Sequence, residues 1–334
     1  MKIKFLIASL IVFFSFQVNN LSAKILPPGT GTQADVPSNL LILLDKSGSM
    51  GWRMQSAQAM QYPYDTVTDS SGNIYVMQYH TYGVKKINYA DGKVDTSWGS
   101  NGVVGRSGSC RTYYPYGASV DNGIIYVASY YDHKIRKIRM SDGKCLGFIS
   151  LKKYSYPKAI EMHDGHMYVA TSKGLYSRNM STGNSTYCAD PGGSWYNRYS
   201  YRNSYALAGS GYYLYSFYYY RLFRGILVSA NNGKNLCPTS VVSGFYNKFG
   251  YSVYGMSAHP SNANELYISA RNNNKIYKVT VNANGTGGTI NWSKGKYGYN
   301  KTSSATQTYF YYPWGIHYDG DNDRIVVAGY SGKK

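Results

Sequence analysis

One short phrase recurs along this chain: an aromatic residue, proline and a second aromatic, then a turn, then Ile-Tyr-Val or a close variant. It reads as Tyr62, Pro63, Tyr64, Asp65 leading to Asn73, Ile74, Tyr75, Val76, and again as Tyr114, Pro115, Tyr116, Gly117 leading to Ile125, Tyr126, Val127. A third copy runs from Tyr156, Pro157 to Met167, Tyr168, Val169. Looser copies run through Gly255 to Leu266, Tyr267, Ile268 and from Tyr312, Pro313, Trp314, Gly315 to Ile325, Val326, Val327. With weaker equivalents near Tyr201 and Tyr254, the openings are spaced by roughly 40 to 60 residues, the length of one four-stranded propeller blade.

The second copy shows the blade pattern in full. Gly117 to Asp121 is expected to form a first strand, Gly123 a turn, Ile124 to Tyr130 a second strand and Lys134 to Met140 a third, before the turn at Asp142 and Gly143. Helical periodicity is almost absent after Gln61, so the fold class is all-β. Six openings predict a six-bladed β-propeller over residues 61–334 with an incomplete last blade, because only Trp314 to Asp319 and Arg324 to Gly329 follow Pro313. A half blade would expose sheet edges, which folded proteins avoid. Either upstream residues supply the missing strands or the sequence is truncated after Lys334.

The phrase resembles the NHL-repeat family of β-propellers, whose blades begin with a Pro-containing lead-in and carry a Gly-Asn-Ile-Tyr-Val type second strand. Ser71, Gly72, Asn73, Ile74, Tyr75, Val76 followed by Lys85, Lys86, Ile87 is the nearest match, and Asp132 to Ile138 gives another third strand. The stretch around Tyr201 to Gly233 departs most, having lost its proline and become a tyrosine run.

A second resemblance lies upstream, in residues 24–60. The apolar run Leu40 to Leu44 reads as a buried parallel strand, and Asp45, Lys46, Ser47, Gly48, Ser49 follow it as a polar loop. Asp-x-Ser-x-Ser after such a strand resembles the metal-ion-dependent adhesion site of von Willebrand factor type A domains. The resemblance implies a Mg²⁺ held by Asp45, Ser47 and Ser49, three hard oxygens at alternating positions. The Thr and Asp that complete that family's site have no counterpart downstream, so the segment is expected to be a fragment with an incomplete site. The alternative is that Leu40 to Leu44 is a strand closing the propeller.

Residues 1–23 read as a secretory signal: Lys2 and Lys4, an apolar stretch from Phe5 to Val18, and small residues at Ser22 and Ala23. Export implies no transmembrane segment after cleavage and makes disulfides permissible among Cys110, Cys145, Cys188 and Cys237, whose connectivity stays open. No Cys-x-x-Cys pair supports zinc or redox chemistry. Only 15% of residues are charged, yet Lys and Arg outnumber Asp and Glu 35 to 16. That excess is read either as attraction to polyanions or as a solvated cationic exterior. Nucleic acid fits the charge but not the export signal.

Tyrosine is the outlier, with 39 residues. Tyr213, Tyr215, Tyr218 and Tyr220, interleaved with Arg221, form a candidate ligand-binding surface, since alternate residues of a strand share a face and aromatic rings give large contact area at small entropic cost. The two resemblances together are similar to type IV pilus tip adhesins, although their calcium-loop signature is absent. They imply an exported, non-enzymatic surface protein that recognises an extracellular protein or glycan, on a surface filament or pilus. Two alternatives stand beside this: a self-associating structural protein, and a propeller lyase or hydrolase. For the enzyme, His317 and Glu161 each sit four residues after a blade's proline and share the central channel.

Overall fold

Strand pairing follows the repeat. The structure is a computed structural model and describes residues 39–44, 62–188, 206–211, 213–218, 220–226, 240–250, 252–297, 309–310 and 312–329. Five sheets are four-stranded antiparallel meanders, each ordered as in the sequence. Blade 1 comprises Pro63–Thr68, Ile74–Gln78, Gly83–Ile87 and Val103–Val104, and blade 2 comprises Pro115–Asp121, Ile124–Ser129, Lys134–Arg139 and Cys145–Ser150. The inner strands of blades 3, 4 and 5 are Ala159–His163, Leu207–Ser210 and Val253–His259.

The sixth opening, at Pro313, starts a sheet of a different kind. Pro313–Asp319 and Arg324–Gly329 pair antiparallel, and Asn39–Leu44 adds outside them in parallel, in continuous register from Asn39 opposite Arg324 to Leu44 opposite Gly329. Pro313–Asp319 contacts the inner strands of blades 5 and 1, which closes the ring. The expected six-bladed propeller is therefore corrected to five four-stranded blades and a three-stranded closing sheet. Upstream residues supply the missing strand.

Why Ile-Tyr-Val is apolar at every position is now apparent. The second strand of each blade is sandwiched between neighbours, so its alternate residues feed two different cores. In blade 1, Tyr75 and Met77 pack toward blade 2 with Trp98, Ile125 and Val127, whereas Ile74 and Val76 pack toward Val326 of the closing sheet. The described core is a set of such layers between adjacent sheets. Among the described residues, the layer between the closing sheet and blade 1 is the smallest of these, formed by Ile74, Val76, Ile87 and Val326.

The small residue after the aromatic-Pro-aromatic opening also has a packing cause. A Cβ on Gly117 would lie 2.7 Å from the Lys158 carbonyl oxygen, and one on Gly315 would lie 2.7 Å from that of Tyr64. Inner strands of adjacent blades converge at this level, and only a hydrogen or a methyl fits. Ala159 and Ala206 fill the same place in blades 3 and 4. Asp65 in blade 1 is the exception.

Cys110 and Cys145 form a disulfide with Cα atoms 5.6 Å apart. Cys110 ends the short 3-10 turn before blade 2, and Cys145 begins that blade's outermost strand, so the bridge fastens a blade to its own lead-in. It spans 35 residues of sequence. Replacing both cysteines by serine should lower stability by about 2–4 kcal/mol, chiefly by releasing a loop that the bridge constrains in the unfolded chain. Urea midpoints of the oxidised wild type and the variant measure this.

Candidate functional site

The inner strands surround a cavity of about 620 Å³. Beside it lie the aromatic residues of the strand openings. Tyr64 packs at a tilt against Trp314 with ring centres 4.1 Å apart and meets Tyr116 edge to face at 5.0 Å, while Tyr254 lies 4.1 Å from Trp314. Tyr64 and Trp314 are each 7% exposed, and Tyr116 and Tyr254 line the cavity. Around these rings the tyrosines extend over one face of blades 1 to 3, through Tyr79, Tyr114, Tyr130 and Tyr156.

Next to these aromatic residues runs a polar layer with one rule. Inner strands of neighbouring blades belong to different sheets, so their facing N–H groups have no ladder partner, and a buried unpaired N–H is costly. Side chains four residues after the opening position supply the acceptors, each reaching to the next inner strand. The Met162 N–H donates to Ser119 Oγ (3.0 Å), the Gly209 N–H to Glu161 Oε1 (3.0 Å) and the Tyr318 N–H to Ser257 Oγ (3.0 Å). His317 Nε2 lies 3.0 Å from Thr68 Oγ1, which joins the closing sheet to blade 1. Asp65 acts similarly one turn of the pleat lower, where Oδ2 accepts from the Ala118 N–H and Oδ1 from the Thr66 N–H, both at 2.9 Å.

Burial shifts the titratable groups of this layer. Burial pushes the Glu161 carboxyl up to about 8, opposed by the Gly209 N–H and assisted by the negative charge of Asp65. Burial likewise raises Asp65 to about 7 against the two N–H donors that favour its ionised form. Burial lowers His317 to about 4, with Asp319 pulling upward and Arg324 downward. At neutral pH the channel therefore holds a protonated carboxylic acid and a neutral imidazole, the complementary pair that general acid–base chemistry requires.

A pH dependence of stability follows from the same shifts. A raised carboxyl pKa means the folded chain keeps a proton that the unfolded chain has lost, so stability falls as pH rises toward 7 and 8 through Asp65 and Glu161. His317 opposes this only between its folded value of about 4 and its ordinary 6.5. Lys85 and Lys158, pushed down to about 8 by burial, bind fewer protons folded than unfolded and add stability above that value. We expect a stability minimum near pH 8, which Glu161→Gln makes shallower. Urea unfolding between pH 6 and 10 tests it.

Sequence reasoning brought His317 and Glu161 to the channel, where both lie. It missed Asp65, although the signal was present as the one acid where other copies have Gly117, Gly255 and Gly315. The tyrosine surface is corrected at Tyr215. Tyr215 is fully buried and Phe217 2% exposed, both in the core between blades 4 and 5, with Tyr213 half-buried beneath the Arg224 guanidinium at 4.1 Å. Tyr220 and Arg221 sit beside the exposed Tyr246, and the Tyr218 side chain lies outside the described residues. A second strand covered on both sides by neighbouring blades has no face left for water. Asp45, Ser47 and Ser49 lie outside the described residues. Among the described residues no group of three or more His, Cys, Asp or Glu is placed to hold a metal ion, and no helix is long and apolar enough to cross a membrane.

No family model and no curated protein sequence matches the chain. Its structure is similar to that of a catalytically inactive histidine-to-alanine variant of virginiamycin B lyase from Staphylococcus aureus with quinupristin, at 15% identity and a TM-score of 0.51, covering 78% of this chain and 75% of that one. A streptogramin B lyase matches at 13% identity and a TM-score of 0.47, over 80% of this chain and 90% of that one. Likeness at this identity establishes the β-propeller fold. The expectation of a non-enzymatic adhesion protein is corrected: the structural neighbour at a TM-score of 0.51 is a propeller enzyme, and Tyr215 of the strand that was to present the binding tyrosines is core.

Proposed function

We propose that this chain is a propeller enzyme, a lyase or hydrolase, that cleaves its substrate by general acid–base catalysis in the central channel. The observation that carries the reading is the placement of Glu161 and His317 on the walls of one cavity, where burial favours the protonated carboxyl of Glu161 and keeps the imidazole of His317 neutral. A cavity of about 620 Å³ is within the usual range for small-molecule sites.

In this reading His317 is the base and Glu161 the acid. With Nε2–H donating to the Thr68 hydroxyl, Nδ1 carries the lone pair that removes a proton from the substrate or from an attacking water. Glu161, with Oε1 held by the Gly209 N–H, gives the proton on its other oxygen to the leaving oxygen or nitrogen. The remaining proton transfer, from the imidazolium to bulk water and from water to Glu161, restores both groups. Asp65 acts on Glu161 through space, keeping its proton on by like charge.

The NHL-type assignment of the repeat is the finer family reading we propose for this propeller. Export is the compartment we infer, supported by the signal-like residues 1–23 and by the Cys110–Cys145 bridge. The test is turnover of a panel of esters, lactones and cyclic depsipeptides by the purified chain, with His317→Ala as control. Turnover that falls at least about 100-fold in the variant supports the reading. Turnover unchanged in the variant, or none across the panel, sinks it.

A further inference from the structure

The channel is electrostatically unlike the rest of the molecule. The chain carries 35 Lys and Arg against 16 Asp and Glu. The cavity lining nevertheless includes Asp65, Glu161, Asp319 and Asp321 and, among the described residues, no lysine or arginine. Asp319 has its own cation in Arg324, at 2.8 Å. Asp65 and Glu161 form no ion pair among the described residues and meet only backbone N–H groups. Lys158 holds the blade 3 position that aromatic residues take in blades 1, 2 and 5 and in the closing sheet, but is not part of the lining.

Two further features bear on what would neutralise those carboxyls. Tyr116 and Tyr254 line the cavity, and aromatic rings attract cations, as Arg271 shows 5.5 Å from the centre of the Tyr254 ring. Thr66 lines the wall and is 1% exposed, yet its hydroxyl has no hydrogen-bond partner among the described residues. A buried hydroxyl without a partner is costly, so a ligand that pairs with it recovers that cost. Carboxylates, aromatic faces and an unpaired hydroxyl share one complement, an N–H-bearing cation. A bare metal ion fits less well, since no cluster of three or more ligating side chains is present among the described residues.

We infer that the channel binds a protonated amine, its ammonium group beside Asp65 and Glu161. Because such an amine pairs with the ionised Glu161 that the proposed reaction needs protonated, it occupies the channel as an inhibitor of that reaction and not as its substrate, and the amine site does not rest on the enzyme reading. An ammonium group there pairs with the two carboxyls once they ionise, donates to Thr66, and lays its carbon frame on Tyr116 and Tyr254. An anionic compound of the same shape meets like charge and no cationic partner in the lining.

Calorimetric titration of the purified chain just above pH 8, with benzylamine, benzyl alcohol and benzoate as matched cationic, neutral and anionic probes, tests the site. Benzylamine should bind at least about 10-fold more tightly than benzyl alcohol, a difference of 1.4 kcal/mol, and benzoate more weakly still. The double variant Asp65→Asn, Glu161→Gln keeps amide oxygens to accept from Ala118 and Gly209 and is expected to fold, which circular dichroism checks. It should lose that preference. Benzoate binding as tightly as benzylamine, an unchanged preference in the folded double variant, or a Glu161-dependent signal from Ca²⁺ in place of benzylamine overturns the inference. Because binding is measured at equilibrium without turnover, failure here leaves the acid–base reading standing, and failure of the substrate panel leaves the amine site standing.

Discussion

Replacing Arg324 by Met should destabilise the propeller by about 3–5 kcal/mol, the cost of breaking a buried ion pair and leaving one charge behind. Arg324 and Asp319 are each 2% exposed at the side chain, with Nε donating to Oδ2 at 2.8 Å. The same guanidinium donates to the Gly72 carbonyl oxygen, in the turn after the inner strand of blade 1, and lies 4.4 Å from the Tyr89 ring centre. It therefore ties the closing sheet to blade 1 across the seam with the smallest apolar layer among the described residues. Removing both charges with Arg324→Met and Asp319→Leu should recover part of the loss, because the stranded carboxylate disappears while the Gly72 link stays broken. Denaturant unfolding of the single and double variants measures the cycle. Equal stability of Arg324→Met and wild type would show that the seam is held by other contacts.

That seam also marks where sequence reasoning ran out. Period-two alternation and the aromatic-Pro opening expose blades because strand neighbours in a meander are close in sequence; the second-copy strands lie within about two residues of their expected bounds. The pairing of Asn39–Leu44 with Arg324–Gly329 joins opposite ends of the chain, and no local pattern encodes it. Leu40 to Leu44 read as a parallel strand from its continuous apolar run, and closure of the propeller by it stood only as the alternative to an adhesion-site fragment. The tyrosines of Tyr213–Tyr218 failed differently. Alternation tells which residues share a face, not whether that face meets water, and in a ring of blades both faces of the second strand are covered. Asp65 was legible only as a departure: a carboxylate where convergence of inner strands otherwise selects glycine or alanine. Local rules break most visibly at functional positions.

On any substrate the wild-type chain turns over, Glu161→Gln should lower kcat by about 10²–10⁴-fold. The variant is informative because glutamine keeps the structural half of the residue. Its amide oxygen still accepts from the Gly209 N–H, so the link between the inner strands of blades 3 and 4 survives and the chain folds. What it lacks is a proton to give. In the wild type, activity should decline as pH rises through about 8, where Glu161 ionises, and should need pH above about 4, where His317 is neutral. Residual activity of Glu161→Gln should lose the alkaline decline and keep the acid one. Asp65→Asn provides a second readout that a purely structural role would not move. The negative charge of Asp65 helps to raise Glu161, so removing it should shift the alkaline limb to lower pH without abolishing turnover. An active Glu161→Gln variant with the wild-type alkaline limb would assign Glu161 to strand linkage alone, and the proton donor would then lie elsewhere in the channel.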